Sequence, residues 1–399
     1  MPRNENQLHQ PQLMPQLNFV SQLYAQDCPE ACLLAEYPCS NCGDTCFQND
    51  TRFTIHDPFP PPPRELLKVL GPHHLMFGWG NSLPVASEVP PPQSLVYHWK
   101  RMLGESVVPR WQPASFDPAS PYITLFPHQS LPANGQVIDP EVNYELHSKC
   151  VIEKIVCPQA RVLEEIEFPC VVKLTHGYAG LGNYIVKSQA DERAMRAELK
   201  KRWPQAQVVI NSVIDDIVGD YGVQFYLRPD GSTIWLGVTE QNFNSDLRWC
   251  GGVYRSHLQR DLYEQLSPFV TATARHLSER QYHGIGGIDV LKTGDGKLYL
   301  VDVNPRLTGI TPFLMASRIF DRDDGLTVGL YQASRRSEGS IDQLINNAER
   351  VWLEQKIRVV VLSAVESTGE DGSPITTCHL SASAQALEPC REALEELVT

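Results

Sequence analysis

The chain has 399 residues, 42% of them hydrophobic and 20% charged, with 34 Lys and Arg against 47 Asp and Glu for a formal charge of −13. That length allows roughly two or three domains of ~150 residues. The acidic excess, with no run of Lys and Arg, disfavours nucleic acid as the main partner, and no apolar string approaches the ~20 residues of a membrane span. The opening MPRNENQLHQ has no apolar core of a secretory leader, so a soluble, cytoplasmic protein is the expectation.

Proline marks the first boundary. Of 31 prolines, 22 precede residue 141, with runs at 60–63 and 90–92. Proline lacks a ladder donor and breaks helices, so residues 1–64 read as a weakly structured Pro- and Cys-rich arm. Within it Cys28, Cys32, Cys39, Cys42 and Cys46 crowd together. Four thiolates could close a zinc site. The single CxxC is less than a ribbon normally shows, and reduced surface thiols or disulfides are the plainer readings. Residues 65–144 read as a small α/β domain, with 74–80 as a buried strand running into a glycine turn.

Beyond residue 145 the punctuation becomes regular. The pattern predicts strands at 168–173 and 184–187 around a glycine-rich turn, then a helix opening at Ser188 with Asp191 in capping-box position. Strands follow at 208–210, 221–227 and 233–239, then a helix over 259–281 interrupted at Pro268. A hairpin over 287–303 turns at Gly294-Asp295-Gly296. A strand at 357–365 and a helix at 384–397 close a C-terminal extension, 331–399.

The strongest chemistry lies in that hairpin, GIDVLKTGDGKLYLVDVNPR. Residues facing each other across an antiparallel pair have numbers summing to a constant, and 289 and 302 centre on the turn, so Asp289 and Asp302 are expected side by side. Period-two alternation brings Asn304 and Arg306 to the face of Asp302. Two neighbouring buried carboxylates repel unless a cation lies between them, and hard oxygen ligands suit Mg²⁺. The second element is FPCVVKLTHGYAGLGNYIVK. Lys173 ends an apolar strand, and the backbone N–H groups around Gly177, Gly180 and Gly182 could close over phosphates. There is no G-x-x-x-x-G-K-[ST], so this is not a Walker loop.

In order and spacing, over about residues 145–320 of an expected domain at 145–330, this lysine, its glycine-rich hairpin, a hinge some 40 residues on and the Asp…Asp302-Val303-Asn304-Pro305-Arg306 hairpin resemble the ATP-grasp superfamily, in its carboxylate–amine ligase type. The resemblance implies an α+β fold in which two α+β subdomains clasp ATP, preceded by the small α/β domain and the arm. It implies Mg²⁺, or Mn²⁺, on Asp289, Asp302 and Asn304. Arg306 would steady the substrate carboxylate or acyl phosphate, and Lys173 and Lys149 would contact ATP phosphates. Tyr178, Ala179, Gly180 and Leu181 would form, after Gly177, the phosphate lid. Asn211, Val213 and Ile214 would form the adenine hinge. The sequence departs from the pattern in placing Asp302 where many members have Glu, Asn211 where an acid is common, and Gly287 where D-alanine–D-alanine ligases carry Arg. Arg248 or Arg255 could replace that last charge.

The implied activity is ATP-dependent joining of a small carboxylate to an amine, releasing ADP and phosphate, by a chain compatible with a homo-oligomer. The alternatives are an ATP-grasp kinase or carboxylase, or a non-catalytic nucleotide-binding scaffold. Taken singly, Glu240 and His283 read as surface or structural residues, His176 could touch phosphate or face water, and Trp249 and Tyr254 could line a substrate pocket or merely pack.

Overall fold

The structure, a computed structural model, describes residues 11–13, 19–36, 52–54, 75–113, 120–177, 182–244, 248–369 and 371–398. Strand β1 (Gln12–Leu13) is followed by helix α1 (Val20–Asp27), β2 (Cys32–Leu34), β3 (Pro84–Ser87), α2 (Gln93–Leu103), β4 (Arg110–Pro113) and β5 (Tyr122–Ile123). Strands β4-β3-β2-β5 form a parallel sheet, with α2 as the crossover between β3 and β4.

This corrects the reading of residues 1–64 as an arm. Its described part supplies a central strand of the small sheet and α1, where Leu23 and Tyr24 are buried. Tyr24 also accepts the Ile285 N–H at 3.0 Å, and Asp27 pairs with Arg228 at 2.9 Å. The expected strand at 74–80 is also corrected. Met76–Gly78 is a buried 3₁₀ turn, because an apolar run alone does not distinguish a strand from a buried turn. Cys39, Cys42, Cys46 and the proline run at 60–63 lie outside the described residues. Cys28 and Cys32 are free thiols.

Helix α3 (Pro140–Leu146) leads through a 3₁₀ segment, Lys149–Lys154, to β6 (Cys170–Leu174), β7 (Asn183–Val186), α4 (Gln189–Arg202) and β8 (Val208–Ser212). The antiparallel sheet β7-β6-β8 carries α4. Ser188 caps α4 by accepting from the Asp191 N–H, acids fill its first turn and Lys200, Lys201 and Arg202 its last, as the helix dipole favours.

The rest is built on a large sheet. Its elements are β9 (Ile217–Leu227), β10 (Thr233–Phe243), β11 (Trp249–Arg255), α5 (Gln259–Glu279), β12 (Gly284–Thr293), β13 (Leu298–Asn304), α6 (Ile310–Asp324), β14 (Val328–Glu338), α7 (Ile341–Gln355), β15 (Arg358–Thr368), β16 (Pro374–Ala384) and α8 (Leu387–Leu397). The order is β13-β12-β9-β10-β11-β14-β16-β15, antiparallel throughout, with β1 added parallel to β10. Helix α5 runs through Pro268 without the expected break. Proline forfeits one hydrogen bond, and burial of Leu266, Phe269 and Val270 holds the helix on the sheet. Among the described residues no helix is long and apolar enough to cross a membrane.

The expected C-terminal extension is instead part of this sheet, since β14 pairs with β11 and carries β16 and β15 beyond it. The pairing of β11 with β14 depends on Gly251. It sits at φ +144°, and a Cβ there would lie 1.9 Å from the Tyr331 carbonyl oxygen. Gly251→Ala should therefore cost about 3 kcal/mol or more, because backbone rather than a side-chain end must move. Urea unfolding that shows a loss below 1 kcal/mol would contradict this close approach.

Candidate active site

The hairpin places its acids as the numbering predicts. Asp289 pairs with Asp302, and a bulge follows at Asp289/Val290. A cavity of about 420 Å³ opens beside them, between the large sheet and the β7-β6-β8 sheet. Lys149, Lys173, Asp289, Asp302, Asn304 and Arg306 all line it, as do Gly177 and the hinge residues Asn211, Val213 and Ile214. Tyr178, Ala179, Gly180 and Leu181 lie outside the described residues.

Lys149 reaches the site because its backbone N–H bonds to the Thr175 carbonyl at 2.8 Å, fastening the 3₁₀ segment to the end of β6. Its ammonium donates to both Asp302 oxygens, Oδ1 at 2.5 Å. Lys173 donates to the Val301 carbonyl at 2.9 Å. Asn304 Nδ2 lies 3.4 Å from Asp289 Oδ2. The sequence reading missed a third acid, Asp220 on β9, which also lines the cavity and accepts from Gln241 Nε2 at 3.2 Å. Its strand registers Gly222 opposite Asp289, so the acid approaches from a strand remote in sequence.

The electrostatics separate the two paired carboxylates. Burial pushes Asp289 up, and the charges of Asp302 and Asp220 add to the shift. Asp302 is equally buried, but the ammonium groups of Lys149 and Lys173 outweigh that burial and hold it below the usual carboxylate range. Burial likewise raises Asp220 to about 6 and lowers Lys173. Both nearby lysines thus serve Asp302, and Asp289 lacks a full counter-charge.

Among the described residues no three His, Cys, Asp or Glu side chains gather as a metal cluster. Mg²⁺ needs only one or two carboxylates besides phosphates and water. The under-compensated Asp289, with Asp302 and the Asn304 amide, forms a hard-oxygen donor set that fits it.

The same imbalance predicts a gain in stability on substitution. A carboxyl whose folded pKa is raised favours the fold below its unfolded pKa, and that advantage is lost as pH rises through the folded pKa. Asp289→Asn should therefore be more stable than wild type at pH 8, by roughly 1–3 kcal/mol. Melting curves at pH 8 and pH 4 should show the gap closing in acid, and a gap that widens there would reverse the assigned sign.

Arg248 and Arg255 do not line the cavity. Arg248 is exposed, and Arg255 pairs with Glu240 at 3.2 Å. His176 stacks on Tyr144 with ring centres 4.0 Å apart. Tyr254 is buried, and His283 sits 3.5 Å from the Cys28 sulfur. Trp249 does line the cavity, at an end that also includes Gln224 and Thr308–Ile310. The loops at 246–255 and 307–312 were expected to form a pocket, which Trp249 and Thr308–Ile310 bear out, whereas Gln224 on β9 carried no signal in the sequence.

Residues 153–304 match a family described as "L-aspartate--L-methionine ligase, ATP grasp". No curated protein matches the chain. Among solved structures, it is similar to an N5-carboxyaminoimidazole ribonucleotide synthetase determined as its ADP complex, at 15% identity over 79% of this chain and 89% of that one, TM-score 0.50. An L-amino acid ligase from Bacillus licheniformis matches at 14% identity over 82% and 94%, TM-score 0.48. The biotin carboxylase domain of Hydrogenobacter thermophilus 2-oxoglutarate carboxylase matches at 15% over 78% and 73%, TM-score 0.47. At such identities structural likeness speaks only for the fold. The family match falls on 153–304, the segment that builds the cavity, so that segment is an ATP-grasp unit of the ADP-forming carbon–nitrogen ligase kind.

Proposed function

We propose that this ligase joins two amino acids, the carboxylate of one and the amine of the other, using Mg-ATP. The observation that carries the reading is the convergence of Asp289, Asp302, Asn304, Lys149, Lys173 and Arg306 on one cavity, within or beside the segment that matches a ligase of two amino acids.

The apolar end, with Val213, Ile214 and Leu291, suits a purine. Asn211 would read its exocyclic amine. Lys149 and Lys173 supply positive charge for the phosphates, and Arg306 orients the substrate carboxylate. A carboxylate is a poor electrophile, so its oxygen takes the γ-phosphoryl of ATP, and ADP leaves. The amine then attacks the acyl carbon, the bond to phosphate breaks with its electron pair, and the ammonium proton passes to solvent. Arg306 stabilises the oxyanion of that second step. Mg²⁺ on Asp289, Asp302 and Asn304 would neutralise charge on the transferring phosphoryl group.

The test is ADP release from Mg-ATP with L-aspartate and L-methionine, then with pooled amino acids, while mass spectrometry seeks a product one water lighter than the summed reactants. ADP with such a product is expected. ADP with a phosphorylated product and no condensation would make the chain a kinase. Silence in every pool, together with no rise in melting temperature on adding Mg-ATP, would favour the scaffold.

A further inference from the structure

Arg306 lies beyond the end of β13, where no ladder hydrogen bond fixes its course. Its own N–H bonds to the Asn304 carbonyl at 2.8 Å, a tight turn that throws the side chain off the strand. The guanidinium carbon lies 5.0 Å from the centre of the Phe126 ring. Phe126 in turn packs against the His147 imidazole, with ring centres 4.8 Å apart. Both rings are buried, at 4% and 7% exposure, so neither can swing aside without opening a void.

Phe126 comes from the loop after β5 of the small parallel sheet and His147 from the end of α3, just before Lys149. Neither lines the cavity. His147 Nδ1 donates to the Asn143 carbonyl at 2.8 Å, which leaves Nε2 as the bare acceptor, with no hydrogen-bond partner among the described residues. Burial and the nearby charges of Arg306 and Lys149 keep this ring neutral. Arg306 therefore meets an aromatic face with an uncharged imidazole packed beside it, an arrangement that attracts a guanidinium and does not repel it.

We propose that Phe126 and His147 are positioning residues, a two-ring shelf from the loop after β5 and the end of α3 that aims Arg306 at the acyl carbon. The proposal rests on the ligase reading of Arg306 given above. A guanidinium resting against rigid buried rings is restrained in direction, and reaction rates are sensitive to displacements of about 1 Å at the reacting centre.

The experiment measures, for the full chain with Mg-ATP, L-aspartate and L-methionine, the KM of each substrate and the ratio of condensed product to ADP. Phe126→Leu removes the aromatic face and keeps the volume apolar. It should raise the KM for L-aspartate about tenfold and lower the product-to-ADP ratio, as misaimed acyl phosphate is lost to water, while the KM for ATP stays within about twofold. Phe126→Tyr, which keeps the face, should restore both. If Phe126→Leu does not fold, His147→Gln carries the same expectation.

Wild-type kinetics in both variants, or a parallel rise in the KM for ATP and aspartate, would overturn the shelf. Arg306→Lys separates this from failure of the underlying reading. If it loses activity while the shelf variants do not, the shelf alone is wrong. If it is unaffected, or if wild type is silent with this pair and with every amino-acid pool, the ligase reading falls and the shelf with it.

Discussion

Asp302→Asn should lower ADP release by about 10³-fold or more and also destabilise the fold, the opposite of the stabilisation expected at Asp289 on the facing strand. The activity loss follows from the proposed role of Asp302 in holding Mg²⁺, since preorganised electrostatics is the largest part of phosphoryl-transfer catalysis. The stability loss follows from Lys149. Its side chain is only 11% exposed and donates to both Asp302 oxygens, so deleting the carboxylate charge strands a buried ammonium. Breaking one side of a buried pair typically costs about 3–5 kcal/mol. Circular dichroism melts beside coupled-assay rates would decide the matter. Equal stability changes at the two aspartates would show that the charge assignment across the hairpin is wrong.

Trp99→Ala should cost about 3–5 kcal/mol without touching the cavity. Trp99 is fully buried, packs edge-on to Trp79 with ring centres 5.6 Å apart, and donates from Nε1 to the Val361 carbonyl at 2.9 Å. The preceding residue, His98, accepts the Val361 N–H at 3.0 Å through Nε2 and contacts Glu349 through Nδ1. Strand β15 is the edge of the large sheet, and its unpaired backbone would otherwise invite another strand. Helix α2 thus caps that edge with two consecutive side chains. Urea titration should show the full cost in Trp99→Ala and an intermediate one in Trp99→Phe, which keeps a ring but loses the indole donor. A cost under 1 kcal/mol would mean that the edge tolerates exposure.

Much of the catalytic half was readable because its signals are local. The Asp289 to Asp302 hairpin closes over a few residues, so alternation and turn chemistry set both register and face. The start of α4 was likewise announced by Ser188 and Asp191. The resemblance pointed to Lys149, Asn211, Val213 and Ile214, all of which line the cavity.

Sequence alone thus determined the hairpins, the cap at Ser188 and the facing pair Asp289 and Asp302, because each is decided within a few residues by backbone sterics and hydrogen bonding. Tertiary structure decided the rest. It put Asp220 beside Asp289 through pairing of β9 with β12, drew β2 into a sheet from a segment whose prolines suggested an arm, and carried the ladder on into β14–β16. It also slid Phe126 under Arg306 from 180 residues away. Such contacts depend on which apolar faces must be buried together, and burial is non-directional, so no spacing along the chain encodes it.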